Sequence, residues 1–189
     1  MASILSVEQL QGLAAGSTPN TITVPAGQKI VGTDEGSVYA PGMTIQMTES
    51  GAFGDTSQTT SGTWLDTAMF VDIAPKFSNS KILVMGSPAI LVVGTGATMR
   101  GSIRVIRSIG GANATNVFNT SDFVEQFQVR NATNEHTTLG SIVLTDTPNS
   151  TSYVRYRVQI YYYGDSGTSQ FRLWGSTRGS KLIAQEIAQ

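Results

Sequence analysis

The stretch that most limits what this chain can become is Ser152 to Tyr163, SYVRYRVQIYYY. Read at period two, Val154, Tyr156, Val158, Ile160 and Tyr162 fall on one side. Tyr153, Arg155, Arg157, Gln159, Tyr161 and Tyr163 fall on the other. Side chains alternate across a strand, so the pattern predicts a β-strand with one face for a core. Turn-forming residues bound it, with Asp146 to Ser150 before and Gly164 to Gly167 after. At roughly 3.3 Å per residue it reaches roughly 40 Å, about twice an ordinary strand. Its second face carries tyrosines and arginines, residue types enriched where one protein meets another.

The rest of the chain supplies strands and turns. Charged residues are 13% of the 189, about half the average of soluble domains, and Thr, Ser, Asn, Gln and Gly take their place. Threonine is β-branched, and Gly, Asn and Ser fill tight turns. Strand patterns are expected at Met43 to Met47, Trp64 to Ile73, Lys81 to Val93, Met99 to Arg107, Phe118 to Val129, Leu139 to Thr145, Gln170 to Trp174 and Lys181 to Ala188. Pro88 cannot donate to a ladder, so it divides Lys81 to Val93 into two strands or a bulged one. Glu49 to Gly62 is expected as an exposed loop or a poorly paired hairpin. Eight or nine short strands with frequent turns predict an all-β chain, an antiparallel β-sandwich of jelly-roll type.

Upstream, the chain changes character. Met1 to Ser17 is a small apolar-polar segment in which Ser6 to Gln9 has capping-box spacing, enough for one helical turn. Residues 18–42 are broken by turns at Pro19, Pro25 to Gly27, Gly32 to Gly36 and Pro41-Gly42. The expected division is therefore an attachment arm and connector over 1–42 and a sandwich head over 43–189. Ile4, Leu5, Val7, Leu10 and Leu13 are the candidate attachment residues of the arm.

Several function classes find no support. A net charge of −1 gives no electrostatic case for nucleic acid or an acidic membrane surface. The absence of cysteine removes disulfides, thiolate metal sites and thiol nucleophiles. No apolar run approaches the ~18 residues of a membrane span, and the N-terminus lacks the positive segment of a signal peptide. One histidine, His136, in a polar stretch expected to be a turn, cannot build the usual zinc or triad constellations. Gly94-Thr-Gly96 lacks the third glycine of a dinucleotide loop and reads as a hairpin turn; Gly179-Ser180-Lys181 lacks the upstream glycine of a phosphate loop. Asp34, Glu35 and Asp165 show no spaced calcium-loop pattern. Neither a catalytic residue nor a cofactor or metal is expected. Trp64 and Trp174 could stack on sugar rings, with core packing as the competing reading.

The phrase Val24 to Gly42, VPAGQKIVGTDEGSVYAPG, resembles a group of tailed-phage virion proteins of the tail-fibre and head-fibre type, found in phages of marine bacteria. Thr44-Ile45-Gln46, Ile73-Ala-Pro-Lys76, Ser78 to Val84, the long strand and the tail Lys181 to Ala188 follow in the order seen in that group. The resemblance implies a β-sandwich subunit of the virion, made in the host cytoplasm, assembling as a homotrimer with other virion proteins on tail or capsid. It implies no enzymatic residues. Many relatives are modules of longer fibres, and this chain has no repetitive shaft, so a short fibre or surface decoration is expected. Under that reading Tyr153, Arg155, Arg157, Tyr161 and Tyr163 form the subunit interface. The alternative is a carbohydrate-binding, lectin-like module recognising host surface glycans.

Overall fold

The structure, a computed structural model, describes residues 26–27, 30–32, 38, 40–93, 96–118, 127–132, 135–164 and 169–189. Its architecture follows from the alternation that the sequence carries. Thirteen strands occur among the described residues: β1 (Thr44–Glu49), β2 (Thr56–Gln58), β3 (Thr63–Ile73), β4 (Lys81–Ser87), β5 (Ala89–Val93), β6 (Gly96–Ile109), β7 (Thr115–Phe118), β8 (Phe127–Ala132), β9 (His136–Leu139), β10 (Ile142–Asp146), β11 (Val154–Gly164), β12 (Gln170–Leu173) and β13 (Lys181–Ile187). One 3-10 turn, Ser176–Arg178, separates the last two.

All pairings are antiparallel, in three sheets ordered β1-β13-β4-β10, β2-β12-β5-β9 and β3-β11-β6-β7, with β8 also on β6. The first two sheets are halves of one layer. In each half the neighbours are the same segments of chain, since β1 runs into β2, β12 into β13, β4 into β5 and β9 into β10. A crease crosses this layer where Pro88 separates β4 from β5 and Gly140-Ser141 separates β9 from β10, with Gly140 N donating to Pro88 O at 2.8 Å. The predicted break at Pro88 is present. The run Leu139 to Thr145, expected as one strand, is cut at Gly140 because a Cβ there would stand 2.9 Å from Pro88.

Joining the halves, and taking β7 and β8 as two pieces of the strand along the free edge of β6, gives eight long strands. Numbered in chain order, they lie 1-8-3-6 in one layer and 2-7-4-5 in the other. That is the order of a jelly roll, two interlocked Greek keys. It corrects one expectation. The strands either side of residues 94–95, β5 and β6, belong to different layers and do not pair with each other as the arms of a hairpin would; residues 94–95 themselves lie outside the described residues. A second correction concerns Glu49 to Gly62, which contributes β2 to the creased layer.

The core lies between the layers. From β11 it takes Val154, Tyr156, Val158, Ile160 and Tyr162, each 1% exposed or less. Met69, Val71 and Ile73 of β3 join them, as do Met99, Ile103 and Val105 of β6. The creased layer answers with Ile82, Val84, Ile90, Val92, Ile142, Phe171, Leu173, Leu182 and Ala184. Each buried aliphatic or aromatic side chain stabilises by roughly 1.5–3 kcal/mol. Gly101 of β6 is needed here: a Cβ would fall 2.2 Å from the Phe171 ring, so the ring rests directly on the backbone.

Three charged side chains also point inward. They sit near strand ends and tie the layers together. Arg107 of β6 reaches across to Asp146 of β10 at 2.7 Å, and the Tyr156 hydroxyl donates to the same carboxylate at 2.8 Å. Glu186 of β13, fully buried, accepts from the Lys76 and Phe77 backbone amides, the Ser80 hydroxyl and the Gln46 side chain. It fastens the β3–β4 loop to the end of the opposite layer. Such buried carboxylates persist because each oxygen has donors.

Candidate interaction surfaces

A two-layer sandwich has two outward faces, and sequence alternation assigns the residues of each. On the outside of the β3-β11-β6 layer stand Arg155, Arg157, Gln159, Tyr161 and Tyr163 of β11. The register sets Arg155 opposite Asp72, Gln159 opposite both Asp66 and Arg104, and Tyr161 opposite Trp64. Each polar group then finds its partner in the neighbouring strand. Arg155 meets Asp72 through two nitrogens at 2.8 and 3.0 Å, and also donates to the Tyr153 hydroxyl at 2.6 Å. Arg157 and Gln159 both donate to Asp66 at 2.5 Å, and Arg104 donates to Gln159 at 2.5 Å.

The aromatic rings on this face are engaged too. Trp64 packs on Tyr161 with centroids 5.1 Å apart, and the Arg104 guanidinium lies 4.2 Å from the Trp64 ring. Arg155 lies 4.0 Å from the Phe70 ring. Cross-strand pairs of these kinds contribute roughly 0.2–1 kcal/mol each. Burial alone would raise the Asp72 carboxyl. The hydrogen bonds and charge of Arg155, with the Tyr153 hydroxyl, outweigh it and hold Asp72 below its ordinary value. In return, Asp72 raises the Arg155 guanidinium, and burial together with Asp72 raises the Tyr153 phenol.

The five β11 residues expected at a subunit seam are therefore brought together on one face, and Arg155, Arg157 and Tyr161 are occupied within the subunit. Tyr153 and Tyr163 remain 41% and 45% exposed at its two ends. A hollow of about 280 Å³ beside this ladder is lined by Asp66, Ile106, Ser108, Ala112, Arg155 and Arg157, whose charges are already paired.

The outward face of the β1-β13-β4-β10 half differs in chemistry. Across its strands run Ile183, Met85 and Val143 in one row and Met47, Gln185, Leu83 and Thr145 in the next. Met47 is 64% exposed and Val143 63%. A hollow of about 260 Å³ lies in this face, lined by Met85, Ser87, Ser141, Val143, Lys181 and Ile183. Its rim carries a Lys181–Glu49 ion pair at 2.7 Å, exposed on both sides. Among the described residues upstream of β1, Ile30 and Val31 are each 66% exposed and Val38 46%. The sequence signal for this surface was available: in KILVMGS Leu83 and Met85, in the opposite phase to the buried Ile82 and Val84, are also apolar.

Trp64 and Trp174 stand apart, on the outer face of β3 and just after β12. Arg178 lies 4.4 Å from the Trp174 ring, so each tryptophan already carries an arginine. His136 opens β9, exposed, where a polar turn was expected. No group of three or more His, Cys, Asp or Glu side chains placed to hold a metal occurs among the described residues. No helix among them is long and apolar enough to cross a membrane. The arm residues Ile4, Leu5, Val7, Leu10 and Leu13 lie outside the described residues, as do Asp34, Glu35 and Asp165.

Neither a family model nor a curated relative matches the chain. Among solved structures it is similar to the VP2 subviral particle of infectious bursal disease virus, at 9% identity and a TM-score of 0.44, over 85% of this chain and 38% of that one. It is also similar to the T13 viral particle of the same virus, at 12% identity and a TM-score of 0.38, over 85% of this chain and 40% of that one. A marine algae virus of the order Picornavirales matches at 12% identity and a TM-score of 0.17, over 100% and 91%. The chain thus spans about two fifths of the infectious bursal disease virus chains it matches. The jelly-roll assignment rests on the strand order alone.

Proposed function

We propose that this protein is a virion structural subunit, built to assemble with copies of itself and with other virion proteins. The observation that carries the reading is the apolar outward face of the β1-β13-β4-β10 sheet. A contiguous aliphatic surface on a folded head, with exposed Met47 and Val143, is surface kept for a partner. Two further points support it. The jelly roll is a fold of viral capsid and lectin domains and of cupins. The order of motifs from Val24 to Ala188 resembles tailed-phage fibre-type virion proteins. A short fibre or particle-surface decoration, assembled as a homotrimer and without enzymatic chemistry, is the form we favour.

Fold does not fix function, so the site must decide between the jelly-roll roles. A lectin-like role needs an open aromatic platform, and the arginines over Trp64 and Trp174 weigh against those two residues. The test is to raise antibodies to the protein and probe purified particles by immunogold labelling. Label on tails or capsids is the expected result; particles free of the protein would overturn the reading. A glycan array run beside it separates the lectin alternative, which requires specific hits.

A further inference from the structure

We infer that the outward face of the β1-β13-β4-β10 sheet is the docking site for the connector of a second copy of this chain, the segment around Ile30, Val31 and Val38. This deepens the self-assembly part of the reading above and rests on it. Two surfaces in the described residues lack cover, and they are chemically alike. One is the aliphatic face with Met47 and Val143 about two-thirds exposed; the other is the connector, with Ile30 and Val31 exposed to the same degree. Ile30, Val31 and Val38 do not cover Met47 and Val143 of their own head, since all five stay exposed in a single copy.

The geometry also suits an exchange. The connector joins the head through the Pro41-Gly42 turn, where Gly42 N donates to Ala188 O, and then becomes β1, the edge strand of this same sheet. From Met43 back to Ile30 is thirteen steps of chain, a reach of up to about 45 Å when extended. That span is enough to leave one head and lie across the next. The hollow at Gly86, at about 260 Å³, is apolar and smaller than the roughly 300–1,000 Å³ of ordinary small-molecule pockets. It suits aliphatic side chains of a peptide. Contact of this kind is one-way, connector to face, and such heterologous contacts give rings where the rotation closes and filaments where it does not. A trimer is one ring that satisfies it.

The experiment uses two variants of the full chain. Met47→Lys/Val143→Lys charges the face, and Ile30→Asp/Val31→Asp charges the connector. All four positions are solvent-exposed in the single subunit, so both variants keep the wild-type circular dichroism spectrum and a cooperative melt. Light scattering at micromolar concentration is expected to give an oligomer for wild type and monomers for each variant, with dissociation constants raised roughly tenfold or more. A mixture of the two variants retains one intact face and one intact connector, and is expected to yield a mixed dimer. Three results would overturn the inference. An oligomeric connector variant beside a monomeric face variant means the faces meet each other. An oligomeric face variant puts the contact elsewhere. Two monomeric variants that fail to form the mixed dimer exclude the one-way contact. Wild type that is monomeric alone defeats the self-assembly reading itself.

Discussion

The two outward faces of this sandwich are made of similar strands and treat their surroundings in opposite ways. Outside β3-β11-β6, long polar side chains cross from strand to strand and pair with one another. Arg155 holds Asp72, Arg157 and Gln159 hold Asp66, and Trp64 lies between Tyr161 and Arg104. Outside β1-β13-β4-β10, Met47, Leu83, Met85, Val143 and Ile183, which gain nothing from water, stand among Gln185, Thr145 and the Lys181–Glu49 pair. A face of the first kind is complete within one subunit, whereas the second leaves apolar area to be buried by something else. The same Tyr- and Arg-rich alternation that marks a surface in the sequence is drawn by the register into pairs within the subunit.

Mutations can break or sharpen this contrast. The largest effect belongs to the shared interior, which serves both faces alike. Phe171→Ala is expected to cost about 3–5 kcal/mol in chemical denaturation, because the ring fills the space left by Gly101. If it changed oligomer size while leaving the melt unaltered, the layers would not share a core. Next comes the inter-layer tie. Asp146→Ala strands Arg107 and the Tyr156 hydroxyl, and about 3 kcal/mol is expected to be lost. An unchanged urea midpoint would show the tie to be ornamental.

Smaller still is the outward ladder. Asp72→Asn is expected to cost less than about 1 kcal/mol, since Arg155 and Asp72 are each close to a third exposed. Its pH dependence has a definite sign. Asp72 titrates lower in the folded protein than its ordinary 3.8, so its contribution is complete above that value and fades as pH falls through the folded one. The gap between wild-type and Asp72→Asn melting temperatures should therefore close in acid. A gap that widened would mean the ion pair is absent in solution. The smallest stability effect is expected on the aliphatic face, where Val143→Lys should shift stability by no more than about 0.5 kcal/mol. It should, however, reduce binding of a hydrophobic dye. Dye binding that stayed constant would show the face already covered in the single subunit.

Period two alone determined a good deal. Alternation in SYVRYRVQIYYY placed all five inward residues of β11 correctly, because the side-chain direction along a strand is a local property. Pro88 marked its break for an equally local reason, the missing donor. The same alternation also holds the inward charges. Glu186 falls in phase with Leu182 and Ala184, Asp146 with Ile142 and Leu144, and Arg107 with Ile103 and Val105. A charge in core phase near a strand end is a legible sign of a tie between layers, and reading it requires only the phase.

The remainder needed the folded chain. Nothing near Gly94 says that β5 and β6 part to different layers, and nothing near Gly140 says that Pro88 will press against it. Strand order is set by pairings dozens of residues apart, decided by which apolar faces bury best together. The two outward faces follow from the same cause. Asp66 meets Arg157 and Gln159 across 91 and 93 residues of chain, so it was register that joined these side chains into a ladder. Composition told where tyrosine and arginine were abundant; tertiary pairing decided which of them meet across strands and which apolar side chains stay exposed on the opposite layer.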